Sequence, residues 1–121
     1  MTQFTIKYDL EDRTARFGEQ IIMFCKSINE TTISRPIINQ LIKSATSIGA
    51  NYMEANGASS RGDFRNKIFI CKKESQETKH WLRMLGVYDS GLKEKIIPLW
   101  NEAQSLTMIF QKITNSLNKK V

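Results

Sequence analysis

The chain has 121 residues, with only two cysteines, two prolines, one histidine and six glycines, and no apolar run reaches eighteen residues. Each scarcity excludes a class. Cys25 and Cys71 are too few and too far apart for a disulfide scaffold or a zinc knuckle, and both fall in apolar helical contexts where a free thiol serves as a small hydrophobe. His80 alone completes neither a metal cluster nor a Ser-His-Asp or Cys-His set, and beside Trp81 it reads as a surface or interface residue. Without a long apolar run there is no candidate membrane span. The opening "MTQFTIKYDLED" carries neither the apolar stretch nor the small-residue cleavage site of a secretory signal. The expectation is a cytoplasmic protein with no membrane partner, metal or cofactor. Strand signals are nearly absent too. Phe4, Ile6 and Tyr8 alternate, but one strand without a partner is not a sheet, so this segment is expected to be an ordered tail.

What the sequence does have is helical periodicity. Apolar residues make up 40% of the chain, enough for the core of one domain spanning 1–121. After Asp9, a good N-cap, come Leu10, Thr14, Phe17, Ile21, Phe24 and Ile28, alternating at spacings of four and three. Ser34, Arg35 and Pro36 start a second stripe of Ile38, Leu41, Ala45, Ile48, Tyr52 and Ala55, closed by Asn56 and Gly57. A third, capped by Ser59 or Ser60, runs through Phe64, Ile68, Cys71, Ser75, Thr78, Leu82 and Leu85, with Gly86 and the Asp-Ser-Gly at 89–91 as stop signals. A fourth starts between Lys93 and Pro98 and continues through Ala103, Leu106, Phe110, Ile113 and Leu117, with a tail at 115–121 expected to fray. The predicted helices are 9–28, 34–56, 60–86 and 96–118. With short connections they specify an all-α, antiparallel up-down-up-down four-helix bundle.

The stretch Ser47-Ile48-Gly49-Ala50 is unusual, because it shrinks side chains inside a helix. Glycine there costs about 1 kcal/mol against alanine, which close approach of a neighbouring helix would offset. A phosphate cradle is the alternative. It needs consecutive amides at a strand-to-helix turn, and the glycines at 49, 57 and 62 are separated by helical sequence. Ser44, Ser47, Asn51 and Glu54 form a polar stripe beside the apolar one. Asn51 and Glu54 are expected to bond across to a neighbouring helix, with Lys72, Lys73 or Arg65 answering the carboxylate. Glu74 and Glu77 form a second acidic pair. Together with Asp63 they are read as lying among cations rather than in an apolar pocket that would tune an acid.

Ser47, Ile48, Gly49, Ala50, Asn51, Glu54 and Ala55, followed by Asp63, Phe64, Lys67, Glu74, Glu77, Thr78, Trp81 and Leu82, resemble the bacterial four-helix-bundle family of proteins encoded in intervening sequences of large-subunit rRNA genes. The family is also similar to the accessory proteins of diversity-generating retroelements. The resemblance implies a homopentamer of helical bundles with an RNA-linked role, and it carries no catalytic residue over. Ser47, Gly49, Ala50, Asn51, Glu54, Glu74 and Glu77 transfer as structural positions.

The protein carries a net charge of +6. Residues 61–83 hold seven basic side chains against three acidic ones, most of that excess. Arg65, Lys72 and Lys79 recur every seven residues, so they share a helix face that Arg61 and Arg83 extend. These five are the candidate nucleic-acid-binding residues. A solvated face with i, i+4 pairs such as Lys73–Glu77 is the bland reading. Phe64, Phe69 and Trp81 belong on or beside the apolar stripe, so binding is expected to be directed at phosphates, without base stacking. Trp81, Met84, Tyr88, Trp100, Met53 and Ile22 lie off the stripes and are candidate subunit contacts. The expected function is a non-catalytic oligomer that binds RNA, DNA or a ribonucleoprotein through the basic face of the third helix. The alternative is an adaptor that docks a protein partner.

Overall fold

The structure, a computed structural model, describes the backbone of residues 3–118 and the side chains of residues 10–118. Four helices follow one another: α1 (Gln3–Lys26), α2 (Ser34–Asn56), α3 (Arg61–Tyr88) and α4 (Lys93–Asn118), with a 3-10 turn at Ser90–Leu92 leading into α4. α1 packs on α2, α2 on α3 and α3 on α4, while α1 and α4 meet over a smaller area. The result is an all-α helical bundle with no strand among the described residues.

The four apolar stripes converge on its centre. Leu10, Phe17, Ile21, Leu41, Ile48, Ile68, Leu82, Leu85, Leu106 and Phe110 are all buried there. The hydroxyls that share the stripes are buried as well, and each is satisfied. Thr14, Ser75 and Thr107 donate back to main-chain carbonyls of their own helices. The Ser44 and Thr78 hydroxyls lie 3.0 Å apart across the α2–α3 contact. No buried side-chain oxygen or nitrogen is left without a partner among the described residues, so these polar groups add no uncompensated desolvation cost. Cys25 and Cys71 are free and buried. Burial pushes their thiols up to about 11 and about 12, so neither is a nucleophile at neutral pH.

Helix boundaries follow local chemistry. Ser60 Oγ accepts from the Asp63 amide at 3.0 Å and caps α3. α2 is capped from further back than its Ser-Arg-Pro start suggested: Thr31 Oγ1 accepts from the Ser34 amide at 3.1 Å and from the Ile33 amide at 3.2 Å. α1 starts at Gln3, six residues before Asp9, and ends at Lys26 rather than residue 28. The segment expected to be an ordered tail is helical, and a helix satisfies the backbone groups that a lone strand could not. Gly86 does not stop α3, which runs two residues further to Tyr88. The Tyr88 hydroxyl donates to Asn29 O at 3.2 Å and holds that last turn against the α1–α2 connection. Pro98 falls inside α4, which begins at Lys93 rather than residue 96. Of the tail expected to fray, residues up to Asn118 are helical, and 119–121 lie outside the described residues.

Gly49 is narrow because α1 passes over it. A Cβ added there would lie 3.4 Å from the Thr14 carbonyl carbon, 3.4 Å from Thr14 Oγ1 and 3.5 Å from the Ala15 amide. Gly18 on α1 meets Thr46 in the same way at 3.6 Å. Ala50, by contrast, is exposed. Gly49→Ala is expected to change stability by less than about 1 kcal/mol, because gained helix propensity offsets a tight but ordinary contact. Gly49→Val pushes a branched side chain against α1 backbone and is expected to cost roughly 1–3 kcal/mol. Chemical denaturation of the two variants checks the pair, and equal stability would remove the close-approach explanation.

Candidate nucleic-acid interface

The predicted basic residues come together along the seam between α3 and α4. Arg65 Nε donates to Asn118 Oδ1 at 2.7 Å, Lys72 Nζ to Gln111 Oε1 at 2.7 Å, and Lys79 Nζ to Gln104 Oε1. Cations and amides both recur every seven residues, rising on α3 as they fall on α4, in the register expected of antiparallel neighbours. Arg61 closes the series by donating from Nη2 to Leu117 O at 2.9 Å, at the carbonyl-rich end of α4 where a cation is favoured. Arg83 is exposed at the other end.

These cations are held by neutral partners. The ion pairs among the described residues lie elsewhere: Arg13–Glu102, Arg16–Asp12, Arg35–Glu30 and Lys67–Glu54. An amide positions an ammonium or guanidinium without cancelling its charge, so the seam presents positive charge along roughly 33 Å of α3, from residue 61 to 83 at 1.5 Å per residue. Such a line suits a phosphate chain.

Aromatic rings lie beneath this charge, against the expectation that none is interleaved with it. The Arg65 guanidinium carbon is 4.8 Å from the Phe69 ring centroid and Lys72 Nζ is 5.4 Å from it, while Lys79 Nζ is 5.3 Å from the Trp100 centroid. Phe69 is displaced from the core by the very spacing that puts Ile68 and Cys71 into it. Trp100 stands opposite the cations on α4 and is 38% exposed. The amides Gln104, Gln111 and Asn118 were not singled out from sequence, although their seven-residue spacing matches that of the cations they meet.

The polar pairs on the other side of α3 differ from their predicted arrangement. Glu54 does bond across to α3, but its partner is Lys67 at 2.7 Å, not Lys72, Lys73 or Arg65, which lie on other faces. Asn51 donates to Ser47 O of its own helix at 2.8 Å instead of bridging, and Ser47 donates to Lys43 O at 2.6 Å. Glu77 lies against Glu74 rather than forming a salt bridge with Lys73. Burial, then the hydrogen bond to Glu77 and its charge, push Glu74 up to about 7, with Lys73 and Lys43 opposing. Glu74 thus lies near cations, as expected, but burial and Glu77 outweigh them. Its raised value favours the protonated form in the fold, so the stability it contributes is present below about pH 4.5 and is lost as pH rises through about 7. Glu74→Gln is expected to raise the melting temperature at pH 8 and to leave it unchanged near pH 4. A pH series of thermal melts checks this, and the same increment at both ends would contradict it.

Of the candidate subunit contacts, Trp81 and Tyr88 pack against the core of their own bundle. His80 is exposed, edge-on to Trp81 at 4.8 Å between ring centroids. Ile22, Met53 and Trp100 remain exposed. Ile22 and Met53 flank a groove of about 450 Å3 between α1 and α2, floored by Ala15, Gly18, Gly49 and Ala50 and bordered by Glu11 and Glu19. Among the described residues, no group of three or more His, Cys, Asp or Glu side chains is placed to hold a metal ion, and no helix is long and apolar enough to cross a membrane.

A four-helix chain with this basic seam is of the small helical-bundle class. The chain belongs to the family described as 23S rRNA-intervening sequence protein, whose model matches residues 7–112. A crystal structure of a protein of unknown function from the S23 ribosomal protein family of Bacteroides thetaiotaomicron is similar to it, with 30% sequence identity and a TM-score of 0.77. The similarity covers 86% of this chain and 96% of that one. No curated protein matches the sequence.

Proposed function

We propose that the protein is a non-catalytic, cytoplasmic oligomer that binds single-stranded RNA or DNA through its phosphates along the α3–α4 seam. The observation that carries this reading is the ladder itself: Arg65, Lys72 and Lys79 are each fixed by a neutral amide of α4, and Arg61 by a main-chain carbonyl. The family description, with its reference to 23S rRNA, favours an RNA setting. A pentamer is the assembly implied by the family resemblance, and the apolar α1–α2 groove with exposed Ile22 and Met53 supplies surface for subunit contact. Repeating the seam around a ring would multiply the phosphate contacts available to one strand. The up-down-up-down order of the helices belongs to the same proposal and follows from the short connections.

Binding of a labelled single-stranded RNA, followed by fluorescence anisotropy, tests it. With about five phosphate contacts per subunit, affinity is expected to fall roughly hundredfold between 50 and 200 mM salt. No retention at the lower salt would favour the protein-docking adaptor. Sedimentation equilibrium on the same samples reads the subunit number.

A further inference from the structure

The ladder of cations and amides stops one rung short. Three rungs, 65 with 118, 72 with 111 and 79 with 104, predict a fourth that joins residues 86 and 97, and those positions are Gly86 and Ile97. There the seam opens into a cleft of about 390 Å3, within the range of pockets that take small organic groups. Its lining is mainly apolar and includes Gly86, Ile97 and Trp100, with Asn101 supplying an amide that both donates and accepts. Arg83 and Lys93 also line the cleft, are exposed, and form no salt bridge among the described residues. The cleft continues the phosphate track, because Lys79 of the last rung lies over the Trp100 ring.

We propose that this cleft receives an unstacked nucleobase of the single strand whose phosphates follow the seam, with the base against Trp100 and Arg83 and Lys93 taking the flanking phosphates. An aromatic wall fits the face of a base, an amide fits its polar edge, and two uncompensated cations fit an anionic chain. The α1–α2 groove is of similar size and equally apolar, yet it is bordered by Glu11 and Glu19, which would repel the same ligand. Duplex nucleic acid does not fit the cleft, since its bases are not free to enter. The inference rests on the phosphate reading of the seam.

The test compares three probes on the full-length protein at one salt concentration: a single-stranded oligonucleotide, an abasic strand of the same length, and the corresponding duplex. The intact strand is expected to bind roughly five- to hundredfold tighter than the abasic one, the range of a base–aromatic stack. Trp100→Ala, and separately Gly86→Leu to fill the cleft, are expected to abolish the discrimination, so that each variant binds the intact and abasic strands with equal affinity. Far-ultraviolet circular dichroism of both variants reports that they are folded. Equal affinity of intact and abasic strands for the wild-type protein overturns the nucleobase pocket while the phosphate reading stands. Binding of neither strand overturns both. Dissociation of the oligomer by Trp100→Ala, with discrimination between the strands preserved, overturns the pocket and makes the cleft a contact between copies or with a protein partner.

Discussion

Changing Arg65, Lys72 and Lys79 together to glutamine is expected to lower the affinity for single-stranded RNA about a hundredfold at 0.1 M salt. The magnitude follows from counterion release. Each phosphate contact on a single strand contributes about 0.7 in the slope of log affinity against log salt, so at 0.1 M each is worth roughly fivefold and three give about two orders of magnitude. The fold is expected to survive. All three side chains stand at the outer edge of the α3–α4 contact, and their partners Asn118, Gln111 and Gln104 can hydrogen-bond glutamine. Removing three cations elsewhere, at exposed Lys26, Arg35 and Lys43, should change affinity far less. An equal loss in both triple variants would mean that net charge, rather than the seam, attracts the ligand.

The largest expected effect on stability is at Phe110. Its side chain is fully buried, with its ring centroid 6.1 Å from that of Tyr52 on α2 and the planes tilted by 47°. Phe110→Ala removes a large side chain from a site where helices on either side limit collapse, and is expected to cost about 3–5 kcal/mol. For a domain of this size that lowers the melting temperature by at least ~10 °C. Met108, on the same helix and 62% exposed, provides the contrast: Met108→Ala is expected to stay within about 0.5 kcal/mol. Calorimetry of the two variants checks the assignment of α4's buried face, and comparable losses would contradict it.

The core was legible because its signal is geometric. Spacings of three and four place Phe17, Ile21, Ile48, Ile68, Leu82, Leu106 and Phe110 on one side of each helix, and all are buried. Punctuation was less legible, because a single residue type serves several ends. Asp9 has the chemistry of an N-cap but lies inside α1. Gly86 has the chemistry of a stop, yet α3 passes through it, and a Cβ there would sit 3.6 Å from Ile96 Cδ1. Periodicity also selected the basic face, since 65, 72 and 79 share one side of α3. What it could not show was the partner surface. Gln104, Gln111 and Asn118 are neutral and unremarkable until α4 is laid beside α3, and Phe69 reads as part of the apolar stripe and Trp100 as a subunit contact until cations are found over them. Glu74 illustrates the same limit. Cations surround it in sequence, but its burial and its bond to Glu77 are properties of the packed bundle.

The claim that α3 cations face phosphates is tested most directly by the salt dependence of RNA binding in the wild type and in the Arg65, Lys72, Lys79 triple-glutamine variant. If the ladder contacts the strand, the slope of log affinity against log salt is shallower in the variant by about 2, the share of three phosphate contacts. Parallel lines would show that these side chains never meet the phosphate chain.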